Sequence, residues 1–210
     1  MARFQEAQLV AAAKRGDVAA LGQLLEDQQH RLFNVCYRMV GNSDDAAELT
    51  QDAMLRVVEH IGQYDGRAAF GTWITRIAMN LAVSHLRKQR LRWAASLDHR
   101  SGGNGEDQSS PLRDQLADSR EPEPHQSVQR DEMIAHLQTA LDRIDDDLRA
   151  VLVLRDIDQM DYRQIAGSLA IPVGTVKSRL FRARLALRHE MFKICPPPEK
   201  NADAQAMTDG

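Results

Sequence analysis

Several features that mark other classes of protein are scarce or missing in this sequence of 210 residues. It has two cysteines, Cys36 and Cys195, which lie far apart and show no CxxC or Cys/His spacing. We therefore expect neither a disulfide nor a zinc site, and we predict a buried free thiol at Cys36. No apolar run approaches the roughly 20 residues that span a bilayer, and the N-terminus lacks a signal peptide's hydrophobic segment. The sequence predicts no membrane insertion and a cytoplasmic location.

Patterns of catalytic residues are also lacking. The seven histidines have no metal-ligand spacing with one another. There is no glycine-rich loop of the kind that cradles phosphate, and no serine or cysteine has an identifiable base beside it. The sequence therefore predicts no catalytic residue, no metal and no cofactor, and an enzyme is the least favoured class of function.

Acidic residues are missing from two stretches of a chain whose formal net charge is −3. Residues 66–97 contain six basic residues and no acid, and residues 162–189 contain six more basic residues and no acid. The remainder holds 15 basic residues against 30 acids. Two cationic surfaces in an anionic body are typical of a protein that touches a polyanion at two places.

The second of these stretches has the pattern of a helix-turn-helix. Asp161 followed by Gln164 predicts a capped first helix, and Pro172 predicts a break and then a second helix to about Met191. At about 100° per residue, the second helix has an apolar face opposite a basic one, which suits a DNA major groove. The predicted DNA-facing residues are Lys177, Ser178, Arg179, Phe181 and Arg182. Charge alone leaves open the alternative of a solvated basic face.

Helical periodicity runs through both halves of the chain, so the predicted fold is all-α. The first half has apolar patterns for helices at about 5–15, 44–61 and 72–92, and for another that Asp17 caps and Gly41 with Asn42 close. Further helices are predicted at about 131–143 and 148–157.

Composition divides these helices between two small domains. Residues 96–128 are rich in Ser, Gly, Pro, Gln and acid and cannot bury apolar surface, which predicts a flexible linker. The first domain is then 1–95, and the second, containing the helix-turn-helix, is 129–195. The tail, 196–210, is predicted to be disordered.

Four segments in this order resemble the extracytoplasmic-function sigma factors, the two-domain group of bacterial sigma factors. They are residues 45–57, 70–80, 151–156 and 172–184. The resemblance covers nearly everything except the linker and tail. It implies a protein that binds core RNA polymerase and directs it to promoter DNA in a signal- or stress-responsive regulon, with an anti-sigma factor as a further partner.

The resemblance also implies roles for individual residues. The first domain would dock on the clamp helices of the polymerase's largest subunit through Asp45, Glu48, Asp52 and Arg56. It would capture and melt the minus-ten element with Tyr64, Arg67, Phe70, Arg76, Asn80, Arg87 and Lys88. The second domain would read the minus-thirty-five element with the basic face described above. Where many relatives have an aromatic pair in the polymerase-binding helix, this chain has Met54 and Val58.

Two alternatives remain at this point. An ordinary helix-turn-helix repressor or activator, with a sensor or dimeriser in front, accounts equally well for the second domain. It does not account for the acid-free basic helix in the first. For Asn80 taken alone, a side chain that bonds a neighbouring backbone group is the simpler interpretation.

Overall fold

The computed structural model describes residues 2–99 and 124–196, and it places the side chains of residues 4–94 and 131–196. Throughout those ranges the regular structure is helical and no strand is present, so the predicted all-α fold is confirmed. The first domain contains α1 (Ala2–Lys14), α2 (Val18–Val40), α3 (Ser43–His60) and α4 (Phe70–His99). The second contains α5 (Pro124–Asp142), α6 (Asp146–Leu152), α7 (Tyr162–Leu169) and α8 (Val173–Ile194).

The sharp turn between α2 and α3 is made by adjacent capping residues. Gly41 ends α2 in the left-handed region, at φ 73°, and its N–H donates to the Tyr37 carbonyl. Asn42 then caps α3, because its side-chain oxygen accepts from the N–H groups of Asp44 and Asp45 at 2.7 and 3.1 Å. Asn42 was expected to close α2, and its actual place at the start of α3 shows how short the connection is.

Helix α4 is longer at both ends than predicted. It starts at Phe70 and continues to His99, whereas the apolar pattern predicted about 72–92. Likewise α5 starts at Pro124, well before the predicted 131. The ends of the expected linker, 96–99 and 124–128, are therefore helical. The rest of the linker, 100–123, and residues 197–210 of the tail lie outside the described residues.

The predicted helix over 148–157 is split. Asp145 caps α6, and regular α-helix stops at Leu152. The chain then takes a π-helical turn over Val153–Ile157, in which the N–H of Asp158 donates to the Val153 carbonyl at 3.0 Å. Hydrophobic periodicity does not distinguish such a turn from α-helix, because the apolar residues occupy nearly the same positions.

The two domains lie against each other. Helices α2 and α4 of the first domain contact α5, α6 and α7 of the second. The buried apolar residues of both domains form one contiguous cluster. Helix α4 is accordingly covered on two sides, as its two apolar stripes predicted.

Both cysteines lie within the described residues. Cys36 is a buried free thiol, as predicted, and Cys195 is a free thiol at the surface. Over the two described ranges, no helix combines the length and the apolar character that crossing a membrane requires.

Candidate nucleic-acid interface

Helix α7 begins with the predicted capping box. The Asp161 carboxylate accepts from the backbone N–H groups of Arg163 and Gln164, both at 2.8 Å. The Gln164 side-chain oxygen accepts in return from the Asp161 N–H at 2.8 Å. The reciprocal bonds satisfy N–H groups that have no partner inside the helix, so the start of α7 is rigidly defined.

The turn between α7 and α8 depends on a residue that the sequence did not mark. Ala170 adopts the left-handed conformation, at φ 53° and ψ 43°, and its N–H donates to the Ala166 carbonyl. Pro172 follows in extended geometry and precedes the first residue of α8. A non-glycine residue in this region is uncommon, and alanine carries no compositional signal for it. The proline break was predicted correctly, but the turn geometry was not.

Helix α8 has one buried and one exposed face. Val176, Leu180 and Ala183 are buried, as their spacing predicted. Lys177, Ser178 and Arg182 are exposed, and the Phe181 residue is 67% exposed. The Ser178 hydroxyl donates to the Thr175 carbonyl at 3.0 Å, which leaves its oxygen able to accept. Nothing in the packing explains an exposed phenyl ring among basic side chains.

Two arginines of α8 form ion pairs with acids of other segments of the second domain. Arg179, one of the predicted DNA-facing residues, pairs with Asp147 at 2.7 Å, and its side chain is only 23% exposed. Arg184 pairs with Asp156 at 2.6 Å, and these bonds raise the pKa of its guanidinium above the ordinary value. By contrast, Lys177 and Arg182 have no acidic partner among the described residues. The face open to a ligand is therefore narrower than the sequence predicted.

The aromatic residues of the predicted minus-ten set are inside the first domain. Tyr64 is 8% exposed and Phe70 is fully buried. Their rings meet edge to face at 5.7 Å, and Trp73 tilts against both. The Tyr64 hydroxyl donates to the Ala68 carbonyl at 2.6 Å, and burial raises its pKa. In this conformation both rings are buried inside the first domain, and the expectation that they contact DNA directly stays a prediction.

The remaining residues of that set are at the surface. Arg67, Arg76, Asn80, Arg87 and Lys88 are all exposed. Within the described residues the Asn80 side chain makes no hydrogen bond to a neighbouring backbone group. The simpler interpretation of Asn80, a side chain that bonds such a group, therefore has no support there. The amide can donate and accept at once, as recognition of an unstacked base requires.

Helix α3 carries the residues predicted to bind polymerase. Glu48, Asp52 and Arg56 are exposed, while Asp45 is half-buried with its carboxylate 3.5 Å from the His85 imidazole of α4. Sequence analysis missed that α3 and α4 share a groove, in which acids of α3 face bases of α4. Its charged lining includes Asp45, Glu48, Asp52, Lys88 and Arg92.

Two further residues of α3 are exposed: Val58, at a position of the aromatic pair that many relatives have, and Leu55, which was not predicted as part of a site. Leu55 and Val58 are apolar, large and exposed, and they lie on the helix next to Arg56. Leu55 falls outside the buried stripe of α3, which is the sequence signal that would have found it. An apolar pair beside charged residues is typical of a protein-binding surface.

The helix-turn-helix with its open basic face defines a DNA-binding protein. Two family profiles match the chain, one in each domain: Sigma-70 region 2 over residues 24–92 and Sigma-70, region 4 over residues 135–187. RNA polymerase sigma-H factor of Pseudomonas aeruginosa is 34% identical over 190 residues, which are 87% of this chain and 92% of that protein. ECF RNA polymerase sigma factor SigW of Bacillus subtilis is 33% identical, covering 85% of this chain and 92% of SigW.

The chain therefore belongs to the extracytoplasmic-function sigma factors, which act with core RNA polymerase in promoter-specific transcription initiation. Because region 2 matches the first domain, the alternative of an ordinary helix-turn-helix regulator with a sensor or dimeriser in front is no longer needed.

Solved structures show the same fold. The sigma factor RpoE in complex with the anti-sigma factor NepR from Bartonella quintana has a TM-score of 0.63 at 21% identity, over 85% of this chain and 99% of that chain. CnrH in complex with the cytosolic domain of CnrY has a TM-score of 0.60 at 20% identity, over 88% of this chain and 96% of that chain.

Proposed function

We propose that the two domains read the two promoter elements separately. The exposed basic side chains of the two domains support this assignment. Each domain exposes basic side chains on one long helix, α4 in the first and α8 in the second. Because phosphate contacts with Lys and Arg supply most of the affinity for DNA, two such helices give two attachment points. Specificity then depends on the side chains that reach the edges of the nucleobases.

In the second domain, Lys177, Ser178, Phe181 and Arg182 read the minus-thirty-five element. Arg182 suits a guanine edge, and the exposed Phe181 ring suits a thymine methyl group. Arg179 acts by holding α8 against Asp147, since its guanidinium already has a partner at 2.7 Å. The capped α7 fixes the angle at which α8 meets the groove.

In the first domain, Asn80 holds an unstacked base of the minus-ten element, and Arg67, Arg76, Arg87 and Lys88 contact phosphates around it. Tyr64 and Phe70 support this surface from below, because their packing with Trp73 holds the loop that leads into α4. Melting costs a few kcal/mol per base step, which these contacts and the polymerase must offset.

Core polymerase binds the α3 face that contains Asp45, Glu48, Asp52 and Arg56. The exposed Leu55 and Val58 add apolar contact there, and Val58 with Met54 stands where many relatives have an aromatic pair. The acids attract a basic partner surface and set the orientation of docking, while the apolar pair contributes buried area.

The chain works in the cytoplasm, where core polymerase and promoter DNA are found, and we assign it no catalytic residue. An anti-sigma factor is a further proposed partner, in keeping with a signal- or stress-responsive regulon. Two solved structures of similar fold contain such a factor or a cytosolic domain bound to the sigma chain. Recovering the chain from unstimulated native cells should yield a stoichiometric partner other than core polymerase.

The experiment that tests the division of roles compares Arg182→Ala with Asp52→Ala. Arg182→Ala should cost about 1–3 kcal/mol of promoter discrimination at one base pair and leave the affinity for core polymerase unchanged. Asp52→Ala should weaken core binding several-fold and make it less sensitive to salt, without changing the preferred promoter sequence. Footprinting of the reconstituted holoenzyme and a titration with core polymerase measure the two effects.

Matched controls are Lys193→Ala, which removes a cation of α8 outside the DNA-facing set, and Glu26→Ala, which removes an exposed acid of α2. Both should behave as wild type. Equal loss of the same activity in Arg182→Ala and Asp52→Ala would contradict the assignment of separate roles to the two domains.

A further inference from the structure

Helix α1 contacts both ends of the loop that leads into α4. The Lys14 ammonium, on the last residue of α1, donates to the Tyr64 carbonyl at 2.9 Å. About two turns earlier in the same helix, the Glu6 carboxylate accepts from the Phe70 N–H at 3.4 Å. Tyr64 follows the short 3-10 turn Ile61–Gln63, and Phe70 is the first residue of α4. One helix therefore anchors the loop 64–70 at its first and last residues.

The bond from Glu6 also caps the start of α4. Ala69, the residue before α4, has no side-chain oxygen, so it cannot cap the helix as Asp17 caps α2 and Asp161 caps α7. The first turn of α4 contains no acidic residue either. A carboxylate from α1 instead accepts from an N–H that has no partner inside the helix, at the positive end of the helix dipole. The start of α4 thus depends on a residue 64 positions away.

The centre of the loop is exposed and is held mainly by bonds within the loop. The Asp65 carboxylate accepts from the Arg67 N–H at 3.0 Å and pairs with the Arg67 guanidinium at 3.2 Å. Gly66, between them, has a φ of 73°, which glycine adopts most readily. The Tyr64 hydroxyl donates to the Ala68 carbonyl. Because Asp65, Gly66 and Arg67 are exposed, the position of this centre in the domain is set by the two anchored ends.

The loop and α4 form one surface for the minus-ten element. Arg67 in the loop and Arg76 and Asn80 on α4 are all exposed. Asn80 is ten residues after Phe70, which is about 15 Å along the helix. A base held by Asn80 and a phosphate held by Arg67 require a fixed distance between loop and helix. Fixing that distance in advance reduces the entropy that is lost when the single strand binds.

We propose that Lys14 and Glu6 are positioning residues for the minus-ten element: from α1 they hold the loop 64–70 and the start of α4 in the geometry that captures an unstacked base. The proposal rests on the proposed function, in which Asn80 and Arg67 contact that element. Neither Lys14 nor Glu6 touches the DNA. Each acts through one backbone group, the Tyr64 carbonyl or the Phe70 N–H.

The test uses the full chain, reconstituted with core polymerase, and a promoter fragment whose minus-ten strand is single. One base of that strand at a time is replaced by 2-aminopurine, whose fluorescence rises when the base is unstacked. The wild-type holoenzyme should raise the fluorescence at the captured position. Titration at that position measures the affinity of capture for each variant.

Lys14 is tested by removing and restoring its donor. Lys14→Met keeps the length of the side chain and should weaken capture about tenfold, since it removes a charged hydrogen bond. Lys14→Arg retains a donor and should stay within about twofold of wild type. Arg15→Ala removes the neighbouring exposed charge and should match wild type. Lys14→Met should leave the salt dependence unchanged, whereas loss of a phosphate contact would lower its slope by about one.

Glu6 gives the sharper test, because the two explanations predict opposite signs. Removal of a negative charge near a polyanion strengthens DNA binding by electrostatics alone. If Glu6 positions α4, Glu6→Ala should weaken capture several-fold instead. Glu6→Gln keeps an acceptor oxygen without the charge and should lie between Glu6→Ala and wild type. Glu26→Ala, which removes an exposed acid of α2, is the matched control and should not weaken capture.

Circular dichroism and the affinity for core polymerase check that each variant is folded, and both should equal wild type. Four results would each overturn the positioning role and leave the proposed function intact. They are wild-type capture in both Lys14→Met and Glu6→Ala, a reduced salt slope in Lys14→Met, tighter capture in Glu6→Ala, and an equal loss of core affinity. Should Glu6→Ala not fold, capture by Glu6→Gln as tight as wild type or tighter would have the same meaning.

Failure of the proposed function has a different signature. In that case the wild-type holoenzyme would change the fluorescence at no base of the minus-ten strand, whatever residue occupies positions 6 and 14.

Discussion

The two basic helices, α4 and α8, carry similar charge but are packed differently. Helix α8 buries a single stripe and leaves the opposite face open, so a helical wheel identifies both faces. Helix α4 is covered by α2 and α3 on one side and by α6 and α7 on another. Which residues of α4 remain exposed depends on where those neighbouring helices end. When a helix buries one face, its periodicity in the sequence identifies the exposed face. When a helix is buried on two faces, periodicity does not.

Substituting one phenylalanine on each helix should give the largest difference between α4 and α8. Phe70→Ala, at the fully buried start of α4, should lower the free energy of unfolding by about 3–5 kcal/mol, since it leaves a cavity in the aromatic cluster. Phe181→Ala, on the exposed face of α8, should change it by no more than about 0.5 kcal/mol and weaken promoter binding instead. Urea unfolding and a promoter-binding titration measure the two effects. Equal losses of stability would mean that Phe181 packs against something in solution.

The two cysteines give the next largest effect, visible at alkaline pH. Burial raises the pKa of Cys36 to about 11 from an ordinary value of 9.0, although a hydrogen bond to Thr50 opposes the shift. The unfolded chain therefore loses this proton first. Stability is complete below about pH 9 and should fall by about 2–3 kcal/mol as the pH rises towards 11.

Cys36→Ala should remove that part of the decline, while the exposed counterpart Cys195→Ala should retain it. The measurement is the difference in unfolding free energy between pH 8 and pH 11, compared across the two variants and wild type. A slope that does not change in Cys36→Ala would show that its thiol is not buried in solution.

Helix caps provide the smallest effect and separate stability from recognition. Asp161→Ala and Asn42→Ala each remove a side chain that caps a helix, and each should cost about 1 kcal/mol of unfolding free energy. Only Asp161→Ala should also weaken promoter binding, because α7 sets the position of α8 on DNA. Thermal unfolding and the promoter titration distinguish them. Should Asn42→Ala weaken promoter binding equally, the role of α7 in orienting α8 would be wrong.

Local chemistry accounts for what was predicted well. Asp161 with Gln164, Asp17 before α2 and Pro172 before α8 act through bonds or steric effects within a few residues, and all are found where expected. The buried stripe of α8 follows from periodicity alone. The ion pair between Arg179 and Asp147 was not predicted, because Asp147 lies on α6 and a partner that distant in the chain leaves no local signal.

The aromatic residues of the first domain illustrate the opposite case. Tyr64, Phe70 and Trp73 lie close together in a loop and a helix start, where a sequence pattern is equally compatible with a DNA-stacking surface and with a small core. Packing against the rest of the first domain decided for the core, because burying large rings stabilises the fold more than exposing them.

By itself, the sequence determined the existence of most helices, the caps made by Asp17 and Asp161, the basic faces and membership of the sigma family, because these depend on neighbours along the chain or on motif order. Only the tertiary structure decided which aromatic and basic residues stay available and that Arg31 meets Asp158 across the domains. The physical reason is that burial and ion pairing are set by distances in space. Residues 127 positions apart in the sequence share a bidentate pair that no local pattern encodes.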